Sequence, residues 1–237
     1  MTAVPSSAGY RHFHEQLDTL KQRLLDMSER AETLVDRAVE SLLQRDQGMA
    51  EAVIEGDHEV DALEIEIEQM AVALLALQQP MARDLRFIIG AIKVSSDLER
   101  VGDHSVNIAQ CAVRLANMQG PILATPEIED MARRARKMLA DALDAFIRGD
   151  GGLGRAVCAS DDAVDALHDS VFRVLITHMM EDPRSISSAM QLILVSRNLE
   201  RVADMATNIG EDAVYLAEGK QIKHHHEERT SVSREKS

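Results

Sequence analysis

The chain writes one phrase twice. DLERVGDHSVNIAQ, beginning at Asp97, returns 101 positions later as NLERVADMATNIGE, beginning at Asn198. At an offset of 104, RDQGMAEAVIEGDHEVDALE lies over GDGGLGRAVCASDDAVDALH, so that Asp57 falls on Asp161 and Asp61 on Asp165. Upstream, Met27, Leu34, Ala38, Val39 and Leu42 fall on Met131, Met138, Ala142, Leu143 and Phe146. A deletion of three residues near Pro183 reconciles the two offsets. This is a tandem duplication, and whatever one unit of about a hundred residues folds into, the other must match.

The unit is helical. The five prolines, Pro5, Pro80, Pro121, Pro126 and Pro183, are separated by long proline-free stretches, and proline marks helix boundaries. Breaks at RDQG and RGDGGLG complete the layout, which predicts six helices near 10–46, 49–78, 84–117, 126–148, 153–180 and 186–218. Each carries apolar residues at three- and four-residue spacing, as at Ile88, Ile92, Leu98 and Val101. Aromatics are only 3% of the chain and Trp is absent, so the core must be Leu, Ile, Val, Ala and Met, the material of helix bundles. The expected fold is all-α: two tandem antiparallel three-helix bundles over 10–118 and 124–220. Residues 1–9 and 221–237, the latter with no apolar period, are expected to be disordered.

Charge and cysteine usage narrow the function. With 40 acidic against 26 basic residues the net charge is −14, which disfavours nucleic acid and anionic lipid and suits cations. Cys111 and Cys158 stand alone, without Cys-x-x-Cys spacing, so neither a disulfide framework nor a zinc knuckle is expected. The N-terminus lacks a signal-peptide pattern, and the longest apolar run, MAVALLAL from Met70, is far short of a bilayer span. A soluble cytoplasmic protein is expected.

The repeated phrase keeps acids as well as apolar residues. Glu99, Asp103 and Asn107 follow one another at four-residue spacing on one helix face. Glu200, Asp204 and Asn208 repeat the stripe, with Asp212 extending it. The second helix of each unit has its own: Asp57, Asp61, Glu64 and Glu68 in the first, Asp161, Asp165 and His168 in the second. Like charges four apart cost a helix roughly 0.2–0.5 kcal/mol per pair. If the second and third helices of a unit are antiparallel neighbours, the two stripes converge and a cation would remove the repulsion. Carboxylates favour magnesium, calcium, manganese or iron, and His168 tilts the second unit toward iron, zinc or manganese.

The plain alternative is a solvated face. Drift has scrambled other surface positions, since Glu51 faces Arg155, Glu55 faces Ala159 and Glu68 faces Phe172. The acids survived that drift, which favours a functional reading. Asp57 and Asp161 also admit a role as turn or cap residues. Arg100 and Arg201 read as ion-pair partners of the acids, Asp84 as a helix N-terminal acid, and His224–His226 as incidental.

QQPMARDLRFIIGAIKVSSDLERVGDHSVNIAQ, with its partner NLERVADMATNIGEDAVYLAEGK, closely resembles the PhoU family of phosphate-transport accessory proteins, over about residues 10–220. The resemblance implies two three-helix bundles whose Glu/Asp-x-x-x-Asp motifs bind metal, iron foremost, with zinc, manganese or magnesium as alternatives. It implies one site from Asp57, Asp61, Glu99 and Asp103 and another from Asp161, Asp165, Glu200 and Asp204. Glu64, His168, Asn107 and Asn208 are accessory candidates. It further implies a non-enzymatic negative regulator of the phosphate-starvation response, commonly a homodimer, linking a phosphate ABC transporter ATPase to a sensor histidine kinase. This sequence departs from equivalence of its two halves at His168, which stands where the first unit has Glu64.

Two readings compete with an adaptor. A carboxylate-bridged dimetal oxidase or storage protein would need Glu-x-x-His motifs in a four-helix core, and only Asp165–His168 approximates one. A helical scaffold whose acids bind nothing is the other.

Overall fold

The computed structural model describes residues 7–78, 80–118 and 126–222. Seven α-helices follow in order: α1 Ser7–Gln44, α2 Gln47–Gly56, α3 His58–Gln78, α4 Ala82–Ala116, α5 Pro126–Arg148, α6 Gly151–Glu181 and α7 Ile186–Glu218. A 3₁₀ turn, Pro183–Ser185, precedes α7. No strand occurs among the described residues. Two expectations are corrected. The second helix of the first unit is interrupted at Asp57, whereas its counterpart α6 runs through Asp161 unbroken. Residues 7–9 are helical rather than disordered. Residues 223–237, with His224–His226, lie outside the described residues, as do 1–6 and the 119–125 link.

Equivalent turns open the second rod of each unit. Arg45 (φ 57°) and Gly149 (φ 66°), 104 positions apart, both take the left-handed conformation that ends α1 and α5. The next residue then caps the new helix: Asp46 accepts from the Met49 amide at 2.9 Å, and Asp150 accepts from the Leu153 amide at 3.0 Å. Each carboxylate satisfies an amide left orphaned by the helix start. The breaks expected at RDQG and RGDGGLG fall here, and the capping aspartates are additional to them. They were legible as Asp-x-x at matched positions of the repeat.

Within each unit the rods run up, down, up. Arg23 pairs with Glu66 and Arg30 with Glu59, which sets α1 antiparallel to α3. The α6–α7 pair is closer. A methyl group on Gly154 would sit 2.6 Å from the Gly210 carbonyl oxygen, so the two backbones touch where side chains would hold them apart.

The triangular bundles are fused rather than merely strung together. α4 packs along α7 and α1 along α5, both pairs antiparallel. Leu20, Leu24, Met27, Ile88, Leu98, Ile108, Met131, Leu139 and Phe146 are fully buried in one continuous core. Phe146 stacks on Phe87 across the units at 5.3 Å, in space left by Gly90, whose missing methyl would fall 2.6 Å from that ring. Few aromatics are needed because the rods interlock through aliphatic ridges. Among the described residues no helix is long and apolar enough to cross a membrane.

Candidate metal site in two acidic grooves

The acidic stripes do converge. Along the α3/α4 groove of the first unit, Asp57, Asp61 and Glu64 face Glu99 and Asp103, and carboxylate neighbours there raise the proton affinity of Asp57, Glu64 and Glu99. Along the α6/α7 groove, Asp161 and Asp165 face Asp204, and Glu200 acts on Asp161. Burial is the main cause throughout, with neighbouring carboxylates second. It pushes the Asp57 carboxyl from the ordinary aspartate range up to about 6, reinforced by Asp61 and Asp103. It likewise pushes Asp161 to about 6, reinforced by Asp165 and Asp204. Glu64, Glu99 and Asp165 are raised for the same reasons. Losing hydration disfavours the charged form, and a second negative charge disfavours it further.

One atom of each groove stands out. Asp57 Oδ1 and Asp161 Oδ1 are buried and accept no hydrogen bond among the described residues. They occupy equivalent positions of the repeat, so the arrangement occurs twice. Neither acts as a side-chain cap: Asp161 lies inside α6, and Asp57, although it follows the last residue of α2, leaves its carboxylate oxygen without a donor. A buried acceptor without a donor costs about 1–3 kcal/mol. The clustered acids around it supply no protons of their own when ionised. A hard cation would satisfy such an oxygen and relieve the neighbouring charges together. As they stand, no three His, Cys, Asp or Glu side chains among the described residues form a closed ligand set. The donor chemistry fits a metal, and the ligands would have to draw in around it.

The accessory candidates divide. Glu64 stays in the first groove, hydrogen-bonded to Ser96. His168 stays in the second, with Nδ1 3.1 Å from Ser196 Oγ. Asn107 and Asn208 turn to the α4/α7 seam instead: Asn107 lines a cleft there and Asn208 donates to Asp97 of α4 at 3.4 Å. Asp212, read as an extension of the acidic stripe, is buried at the same seam and takes the Lys93 ammonium at 3.2 Å. The helix period explains both departures: each step of four residues advances about 40° around a helix of 3.6 residues per turn, so a stripe at i, i+4, i+8 walks off its starting face. Arg201 pairs with Asp204 at 2.9 Å and approaches Glu200 at 3.7 Å, as expected. Arg100 turns to Asp97, 3.8 Å away, rather than to Glu99 or Asp103.

Fold and grooves together define a class: an internally duplicated, all-helical protein with an acidic groove between the second and third rods of each half. Known proteins share the fold. The PhoU domain family matches twice, over residues 24–112 and 128–213. A homolog of the phosphate-specific transport system accessory protein PhoU from Aquifex aeolicus is 40% identical over 212 residues, covering 90% of this chain and 96% of that one. Its counterpart from Pseudomonas putida is 38% identical over 214 residues, covering 90% and 84%. The crystal structure of PhoU from Pseudomonas aeruginosa superposes with a TM-score of 0.84 at 38% identity, over 88% of this chain and 100% of that one. That of the phosphate transport system regulatory protein PhoU from Streptococcus pneumoniae gives 0.82 at 31% identity, over 89% and 99%. The chain belongs to the PhoU family.

Proposed function

We propose that this protein is a metal-binding, non-enzymatic regulator of phosphate uptake, carrying cations in its two acidic grooves and signalling through protein partners. The observation that carries the metal reading is the pair of orphaned oxygens, Asp57 Oδ1 and Asp161 Oδ1, at equivalent positions of the repeat. Asp57, Asp61, Glu99 and Asp103 would hold metal in the first groove, with Glu64 in reach. Asp161, Asp165, Glu200 and Asp204 would hold it in the second, with His168. Iron, manganese, zinc or magnesium suits these donors, the histidine favouring the transition metals in the second groove. The bound ion would supply charge neutralisation that pins the second rod of each unit to the third. The relatives' names support the regulatory reading, since they are accessory or regulatory proteins of phosphate transport. Transporter ATPase and sensor kinase are the proposed partners, contacted from the cytoplasmic side by a homodimer as a negative regulator. The oxidase reading fares worse: the acids sit in half-open grooves, while the bundle core is aliphatic.

Elemental analysis of protein truncated after Lys220, which removes the histidine-rich tail, tests the assignment. One or more ions per repeat is expected, lost from the first groove in Glu99→Ala/Asp103→Ala and from the second in Glu200→Ala/Asp204→Ala. Metal content unchanged in both double variants would return the acids to the status of a solvated face.

A further inference from the structure

Between the two grooves lies a third feature that the duplication does not share. At one end of the α4/α7 seam a cleft of about 340 Å³ is lined by His104, Asn107, Gln110, Arg114, Arg197 and Arg201, with Cys111, Leu194 and Asn198 completing its wall. No carboxylate lines it, in a chain of net charge −14.

Shifting by 101 residues gives the matching positions at the other end of the seam. There Gln110 is replaced by Glu211, Cys111 by Asp212, Asn198 by Asp97, Arg114 by Tyr215 and Arg197 by Ser96. One end therefore closes on itself, with Lys93 neutralising buried Asp212 and Arg100 near Asp97. The other end keeps its cations open. Arg201 is neutralised by Asp204 and Glu200. Among the described residues Arg114 holds only the neutral amide of Gln191, at 3.4 Å. Arg197 is exposed and makes no ion pair or hydrogen bond among the described residues. His104 Nδ1 rests on Asn198 Oδ1 at 3.0 Å, and the ring's far nitrogen has no hydrogen-bond partner among the described residues.

We infer that this cleft is a binding site for a tetrahedral oxyanion of the phosphate type. Two guanidinium forks without carboxylate partners among the described residues, flanked by side-chain amides, supply the kind of donor a phosphoryl group takes, paired N–H groups from planar forks. The cleft is far larger than a bare phosphate, so it also has room for a small phosphomonoester. None of the carboxylates proposed as metal ligands lines the cleft, and its link to the second groove is Arg201, which pairs with Asp204 and Glu200.

Calorimetric titration of the full chain with inorganic phosphate, at constant ionic strength and with chelator present, tests it. Saturable binding is expected. Arg114→Ala and Arg197→Ala should each weaken it about tenfold, and Arg197→Lys less, because charge is kept and the fork is lost. Arg37→Ala, an exposed arginine on α1 beside α2 and α3, should change nothing. A parallel titration with glycerol phosphate separates the sources: tighter binding than phosphate assigns the anion to a larger molecule, weaker binding assigns the free ion. Absence of saturation with both probes at about 10 mM, or an equal loss in Arg37→Ala, overturns the proposal. Far-UV circular dichroism of each variant guards against loss of fold.

Discussion

Asp57 presses its Oδ1 atom against the bare backbone of Gly102: a methyl group there would come within 2.3 Å of that oxygen. The residue equivalent to Gly102 in the second unit is Ala203. The first groove thus admits its buried carboxylate by omitting a side chain, which the second does not do.

Gly102→Ala should displace the Asp57 carboxylate from its cradle. The expected outcome is weaker metal binding in the first groove with the second unaffected, read as loss of one class of sites in a competitive metal titration. The helix itself gains from alanine, by up to about 1 kcal/mol, so a lower affinity without a lower melting temperature separates displacement from unfolding.

Metal-free protein should be more stable at mildly acid pH than at neutrality. Asp57 and Asp161 titrate near 6 in the fold, against the ordinary 3.8 of an aspartate. Between those values the folded chain holds protons that the unfolded chain releases, so stability falls as pH rises through the window and the loss is complete above it. Both groups are partly open to water, and after discounting for screening about 1 kcal/mol each is expected. Thermal melts at pH 4.5 and 7 check the sign. Saturating metal should reverse it, adding about 2.7 kcal/mol at 100 times its dissociation constant.

Lys93→Met should destabilise the α4/α7 seam. The Asp212 side chain is only 5% exposed and would lose its ammonium partner. Removing one member of a buried pair costs about 3–5 kcal/mol, and the lower half of that range is expected because Lys93 is 42% exposed. Lys93→Met/Asp212→Leu, with both charges gone, should recover most of the loss in denaturant unfolding.

Arg45→Gly should stabilise the chain. Arg45 adopts φ 57°, where its counterpart is Gly149. A side chain in the left-handed region costs roughly 1–2 kcal/mol, partly offset by the greater freedom of unfolded glycine. A net gain of about 0.5 kcal/mol in urea midpoint analysis is expected.

Much of this protein was legible in one dimension. The duplication, the helical period and the proline placement define three rods in two copies, because a 3.6-residue repeat of aliphatic residues has few other ways to bury itself. The acidic stripes were legible too, since carboxylates surviving drift at matched positions stand out against a scrambled surface. Tertiary structure decided the rest. That α4 lies along α7, fusing the bundles, depends on contacts more than a hundred residues apart, such as Lys93 with Asp212 and Asp97 with Asn208. The same packing turned Asn107, Asn208 and Asp212 from the grooves to the seam. It also buried one oxygen each of Asp57 and Asp161 without a donor, which no spacing of residues could announce. Helical period assigns a side chain to a face, but only the neighbour packed against that face determines what the side chain meets.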